Sequence, residues 1–444
     1  MDTILVFVKK LIPRKLFLFF QPSYHLLFNY LAAAFYRFPS EKVIVVGVTG
    51  TTGKTTVTYM IAKMLEGSGM KVGYTSTAMF GDGQREWLND KKMTMLGRFF
   101  TQRMLRTMVD NGCEVVIVET TSEGAVQFRH RFINYDIFVF TGLYPEHIES
   151  HGSFENYKNA KLSLFAHISS AEKKLGIDIP KTIIVNGDDE HAKDFLAFDR
   201  VKKVVFTAHN QKFKDKEIEY VHYSMLGSSA RGVLFGFDTT DIQLKLLGDF
   251  TPLNASASGS VGRALGLSSS KIKKGLESIE GIPGRLERIS LGQDFGVIVD
   301  YAFEPVAVTK LYETISVLEP QRIIHVLGSA GGGRDTSRRK VLGEIAGRQA
   351  QIVIVTNEDP YDEDPLVIMA GVASGAREAG KQEGKDLFLL LDRKQAIAKA
   401  LRSARSGDVV LITGKGSEQA IVVKDEQKIP WDDREVVRAI LKSM

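Results

Sequence analysis

Short apolar runs recur along the chain, and each ends in a turn containing glycine, asparagine or an acid. β-Branched residues crowd them: Val43-Ile44-Val45-Val46, Val115-Val116-Ile117-Val118, Ile137-Phe138-Val139-Phe140 and Ile183-Ile184-Val185. Runs that are apolar at consecutive positions predict strands buried on both faces, as in parallel sheets. A shorter strand is predicted at 71–75. Between the strands, apolar positions recur at helical spacing over 57–65, from about 98 to 110 and from near 154 onward. This alternation from Glu41 to about Asn254 predicts an α/β fold with a mostly parallel sheet. Residues 201–245 read as short alternating strands, and 255–265 as a helix of small residues. Ile282-Pro283-Gly284-Arg285 reads as a hinge into a second α/β unit. Its strands at 297–299, 323–327, 352–355 and 409–412 each deliver a polar or glycine-rich loop, expected at one shared edge.

The first strand carries the strongest chemical signal. It runs into Gly47-Val48-Thr49-Gly50-Thr51-Thr52-Gly53-Lys54-Thr55-Thr56, and a helical pattern follows. Strand, glycine-rich turn and helix make a phosphate loop. Backbone N–H groups would cradle phosphates, Lys54 would reach the β/γ-phosphates and the Thr55 hydroxyl would bind Mg²⁺. The strict pattern asks for glycine where Val48 stands, so the loop is a variant. The expected division is an apolar basic extension over 1–40, a P-loop ATPase-type central domain over 41–281, and a Rossmann-like C-terminal α/β domain over 282–444.

Other loops add candidates. Glu119 ends a buried strand beside the phosphate loop, where it could complete a Mg²⁺ shell or simply cap the strand. His147 and His151 are four apart, but a preceding proline and a following glycine make the stretch loop-like, and the spacing carries little weight. Gly331-Gly332-Gly333 lacks the spacing of a dinucleotide fingerprint.

Composition narrows the class. The single cysteine, Cys113, excludes a disulfide framework or a cysteine-based zinc site and fits a reducing cytosol. The net charge is +5, and residues 1–40 hold Lys9, Lys10, Arg14, Lys15 and Arg37 against Asp2 alone. The remainder is near neutral, which argues against a nucleic-acid-binding face. The 1–40 segment is apolar but broken by charges, Pro13 and Pro22, so it is a poor membrane span. It reads either as an interfacial amphipathic anchor or as helices packed on the protein's own core or on a partner. No cleavable signal peptide is evident.

Taken jointly, the motifs resemble those of the Mur ligases, ATP-dependent amino-acid ligases of peptidoglycan precursor synthesis, and among them the members that add the third stem-peptide residue. The resemblance runs from about Glu41 to the C-terminus. It implies that Gly50, Thr51, Thr52, Gly53, Lys54, Thr55 and Thr56 hold ATP. It implies that Thr55 and Glu119 hold one Mg²⁺, and that His147 and a carbamylated Lys161 hold a second. Asn254, Arg285 and Asp300 match nucleotide-contacting positions. Arg334, Asp335, Glu358, Asp359 and Glu418 are implied to position the incoming amino acid. The implied reaction joins an amino acid to UDP-N-acetylmuramoyl-L-Ala-D-Glu through an acyl phosphate, in the cytoplasm or at the inner membrane face. The second domain would close over the first.

Several positions depart from the family. Phe303 and Glu304 replace His-Thr, Gly142 stands where Asn is common, and Ser417 stands where His is usual. Glu358-Asp359-Pro360-Tyr361 replaces Asp-Asn-Pro-Arg, whose arginine would pair with the distal carboxylate of diaminopimelate. Family members place a UDP-binding domain of roughly a hundred residues before the phosphate loop. Only about 40 residues precede it here, so the UDP grip is expected from residues 1–40, from a partner, or not at all if the acceptor is lipid-linked. Two rival readings stand beside this one: a folylpolyglutamate-synthase-like ligase, and a non-catalytic nucleotide-binding protein at a membrane surface.

Overall fold

In the computed structural model, the described residues are 14–444 without Lys92 and His147; side chains are described from Gln21 onward, without those of Ile148 and Glu149. The larger sheet contains β1 (Ile44–Thr49), β2 (Val72–Thr75), β3 (Met79–Gly81), β4 (Glu86–Leu88), β5 (Val115–Glu119), β6 (Ile137–Phe140), β7 (Thr182–Asn186), β8 (Lys202–Thr207), β9 (Glu219–Ser229), β10 (Gly232–Phe237) and β11 (Thr240–Leu244). Their order is β11-β10-β9-β8-β7-β6-β1-β5-β2-β3-β4. The run from β9 to β2 is parallel throughout, and antiparallel strands finish both edges.

The consecutive apolar runs have a simple cause. Successive side chains of a strand point to opposite faces, and here both faces are covered. Val46, Val48 and Ile117 face a core built with the helices Lys54–Gly67 and Thr251–Ala264. Val45, Val116 and Val118 face another, built with Arg98–Asp110 and Phe154–Ser169. The expected small-residue helix at 255–265 starts earlier, at Thr251, with Pro252 in its first turn, where a missing N–H costs nothing. Residues 148–151, read as loop, form one helical turn.

The second sheet contains β12 (Glu287–Arg288), β13 (Gly296–Val299), β14 (Ile323–Leu327), β15 (Ile352–Thr356), β16 (Leu387–Leu390) and β17 (Val409–Ile412), in the order β12-β13-β17-β14-β15-β16. All its pairings except β12–β13 are parallel. Apolar cores lie on both faces. A hairpin of β18 (Ala420–Val423) and β19 (Gln427–Pro430) follows. Because β13, β14, β15 and β17 are parallel, the loops after them emerge at one edge.

Among the described residues no helix is long and apolar enough to cross a membrane. The helix Arg14–Phe35 runs through Pro22, which the sequence reading had interrupting the segment. Proline removes one helical hydrogen bond, a cost of about 3 kcal/mol in a helix interior. Packing beyond it compensates. The Tyr24 ring lies under the Arg98 guanidinium, 5.3 Å from its centroid, the Tyr30 ring is 5.4 Å from that of Phe132, and Ala32 and Ala33 are buried.

Candidate active site

β1 stays regular through Val48, whose backbone pairs with Glu119 of β5 and Val139 of β6. Val48 is buried core, so the position where the strict motif asks for glycine belongs to the strand. The turn proper begins at Gly50. Gly53 sits at φ +80°, and a Cβ there would come within 2.6 Å of Asn254 Oδ1. Glycine is needed on both counts. Thr141 Oγ1 donates to Thr52 O at 2.6 Å, and Thr51 N donates to Gly142 O at 2.8 Å. The loop after β6 therefore clamps the phosphate loop. Asp189 and Asn186, at the end of β7, in turn hold that clamp through Leu143 N and Thr141 O. Thr52 is exposed at the tip and Thr56 half-buried.

Lys54 Nζ folds over its own loop and donates to Thr51 O at 2.7 Å and Gly50 O at 3.1 Å. Lys161, fully buried on the helix Phe154–Ser169, donates to Gly50 O at 2.8 Å and lies 4.6 Å from the Tyr157 ring centroid. Burial holds Lys161 well below its ordinary pKa and Lys54 adds to this, while Glu146 opposes. Lys54 is lowered for the same first reason, with Glu119 and Glu146 opposing and Arg285 adding. Two lysine amines thus face one carbonyl, and among the described residues neither donates to a carboxylate.

Glu119 is the fixed acid of the site. Its carboxylate accepts from Thr55 Oγ1 at 3.0 and 3.1 Å, from Thr77 N at 2.7 Å and from Thr77 Oγ1 at 2.9 Å. Thr77 also lies 2.8 Å from the Thr94 hydroxyl. The Thr55 hydroxyl and the Glu119 carboxylate converge at the head of the loop helix, which suits a hard cation with oxygen ligands. Among the described residues, no three His, Cys, Asp or Glu side chains form a metal-holding group. His147 lies outside the described residues; His151 Nε2 sits 3.1 Å from Ser122 Oγ.

The second sheet presents a different edge. Lys415 is fully buried and donates to both oxygens of Asp359, at 2.8 and 2.9 Å, and to Glu418 at 2.5 Å. Glu358 is 5% exposed, and burial pushes its pKa up to about 7 against the pull of Arg393 and Lys415. Gly414 is at φ +101°, and a Cβ there would collide with the Glu358 carboxylate. Arg393 is committed to Asp433, by two bonds of 2.8 and 2.7 Å. Asp335 accepts from Ser337 N and Oγ, and Arg334 is exposed; neither joins the Lys415 cluster.

At the hinge, Asp300 accepts from Leu286 N at 2.6 Å and Ala302 N at 2.7 Å, so its carboxylate fixes the hinge to the end of β13. Arg285 lies over the Tyr301 ring, 4.2 Å from the centroid. Sequence reasoning missed Thr77, Thr141, Glu146 and Lys415 as site residues. It also missed the Arg338–Glu304 ion pair, 2.6 Å long, at the position where Glu304 departs from the family pattern. Thr77 left one signal: it follows β2, which flanks β5, in a Thr-Ser-Thr run at a strand end.

A phosphate loop with its lysine, a buried Thr–Glu pair at a parallel-sheet edge and a second α/β unit after it define a P-loop enzyme that uses ATP with a divalent cation. Residues 48–262 match the Mur ligase middle domain, and 284–416 match the Mur ligase glutamate ligase domain. The chain is 37% identical over 417 residues to a UDP-N-acetylmuramyl-tripeptide synthetase of Roseiflexus sp. (strain RS-1), covering 93% of this chain and 81% of that protein. It is 34% identical over 414 residues to a UDP-N-acetylmuramoyl-L-alanyl-D-glutamate–2,6-diaminopimelate ligase of Syntrophomonas wolfei, with the same coverage. A solved structure of a ligase of the latter name superposes with TM-score 0.60 at 25% identity, over 90% of this chain and 78% of the other. Mycobacterium tuberculosis folylpolyglutamate synthase, at TM-score 0.65 over 88% of this chain and 93% of the other, is 16% identical and shares the fold alone. The chain belongs to the Mur ligase family, the ATP- and Mg²⁺-using, ADP-forming amino-acid ligases of peptidoglycan precursor synthesis.

Proposed function

We propose that this ligase adds the third stem-peptide residue to UDP-N-acetylmuramoyl-L-Ala-D-Glu. Residues 41–281 are the ATP-binding unit and 282–444 the unit that closes over it. The observation that carries the reading is the buried Lys161 beside Lys54 at Gly50, in a chain so similar to tripeptide synthetases. The Gly50–Thr56 loop and Lys54 hold the β/γ-phosphates, with Asn254, Arg285 and Asp300 around the nucleotide. The D-Glu carboxylate attacks the γ-phosphate, ADP leaves, and the amine of the incoming amino acid displaces phosphate from the acyl phosphate. Arg334, Asp335, Glu358, Asp359 and Glu418 position that amino acid.

Lys161 is suited to carbamylation. Addition of CO₂ needs the neutral amine, which burial favours, and turns a cation into a carboxylate-like ligand. Thr55 and Glu119 would hold one Mg²⁺, and His147 with carbamylated Lys161 a second; the ions would neutralise charge on the transferred phosphoryl group. The reaction would run in the cytoplasm, with residues 1–40 making a peripheral contact to a membrane face or a partner.

The test is phosphate release from ATP with this acceptor and a panel of amino acids, including lysine and diaminopimelate, with mass spectrometry of the product. Release that needs both substrates, and a product one residue larger, is expected. No turnover with any amino acid on this acceptor would overturn the proposed substrate.

A further inference from the structure

One face of the helix Arg14–Phe35 packs on the body of the protein; the other is apolar and open. Leu27, Leu31 and Phe35 repeat every four residues and are 54%, 44% and 73% exposed. Four-residue spacing puts them on one stripe. Leu26 and Tyr30, also exposed, widen the stripe. The neighbouring helix Arg98–Asp110 extends it with exposed Phe99, whose ring centroid is 6.4 Å from that of Phe35. From Leu16 to Tyr36 the sequence contains no Lys, Arg, Asp or Glu. A helix left in water normally carries charges on its outer face, and clustered apolar exposure marks an interaction surface.

The rim of this surface is basic. Arg37 follows the helix and is exposed, and Arg103 is exposed and lies 4.7 Å over the Phe100 ring. No acid lies on the stripe. An apolar stripe without acids and with arginines at its edge complements an anionic bilayer, whose acyl boundary takes the leucines and whose phosphates take the arginines. It does not complement a basic or a purely polar partner.

We infer that the helix Arg14–Phe35 docks on an anionic lipid surface, lying in the plane of the bilayer rather than crossing it. Leu27, Leu31 and Phe35 enter the boundary between headgroups and acyl chains, and Arg37 and Arg103 pair with lipid phosphates. This commits the peripheral contact named in the proposed function to one partner. It concerns where the ligase works and does not depend on which acceptor it uses.

Flotation of the full chain with vesicles of phosphatidylglycerol and phosphatidylethanolamine tests it, with phosphatidylcholine vesicles alongside, at low and high salt. The chain is expected to float with the anionic vesicles, about tenfold less with the neutral ones, and less at high salt. Leu27→Glu, Leu31→Glu and Phe35→Glu combined should lower binding by at least about tenfold while melting temperature and phosphate release in solution stay unchanged. Arg37→Glu with Arg103→Glu should lower binding and remove most of its salt dependence. Absence of binding to anionic vesicles, or binding untouched by the triple variant, would overturn the inference. So would a stable dimer by light scattering that the triple variant dissolves, since a second copy would then cover the face. Vesicle binding without turnover of the proposed acceptor would support this inference and overturn the proposed substrate alone.

Discussion

The two sheets present loops in the same way, at the C-terminal ends of parallel strands, yet the two edges have opposite electrostatic needs. At the edge of the larger sheet, half-buried Lys54 and buried Lys161 donate to backbone carbonyls while Glu146 acts on both through its charge, and Glu119 is already satisfied by hydroxyls and an amide. Among the described residues, neither lysine of this edge is paired with an acid. At the edge of the smaller sheet, Lys415 is already shared between Asp359 and Glu418, and Glu358 is a buried acid with no ion pair among the described residues, on which Arg393 and Lys415 act through their charge. This edge lacks a cation. On the proposed function, one topology would serve two ligands, with phosphate oxygens at the first edge and the incoming amino acid at the second.

The sharpest way to break this contrast is at Lys161. Lys161→Ala and Lys161→Arg are both expected to lower phosphate release by about 10³-fold, or about 4 kcal/mol, measured by steady-state kinetics. Near-normal turnover of Lys161→Arg would mean that a cation suffices there and that carbamylation has no part. The next effect in size lies at Glu358. Its folded pKa of about 7 stands above the ordinary 4.5, so between those values the folded chain keeps a proton that the unfolded chain has lost. The stability from that proton is fully present below about pH 4.5, falls as pH rises through 7, and is level above it. It amounts to roughly 3 kcal/mol. Glu358→Gln should flatten the pH dependence of the melting temperature between pH 5 and 8. An unchanged slope would show that this edge does not lack a cation.

The smallest expected effect sharpens the first edge. Thr77→Val keeps the backbone amide on Glu119 but removes the hydroxyl, at a cost of about 1–2 kcal/mol. The affinity for ADP with Mg²⁺, measured by calorimetry, should fall about tenfold, and Thr77→Ser should restore it. Loss in Thr77→Ser with none in Thr77→Val would mean that the threonine methyl packs rather than that the hydroxyl positions the acid.

What the sequence determined by itself is local. Consecutive β-branched runs require burial on both faces, which fixed the parallel sheets, and Gly50 to Thr56 between strand and helix specified a phosphate loop, because a few adjacent residues set that backbone shape. Val48 marks the limit even there: as a residue in a motif it looked like a deviation, and as the penultimate residue of β1 it is ordinary core. Whatever depends on a distant partner needed the tertiary structure. Thr77 reaches Glu119 only because β2 pairs with β5 in one particular register. Lys415 proves to be neutralised, and Glu358 not, only once β15 and β17 have brought their loops together around β14. The helix through Pro22 persists because Arg98 and Phe132 lie where Tyr24 and Tyr30 need them. Pairing across the chain is decided by which elements pack, and no spacing along the sequence encodes it.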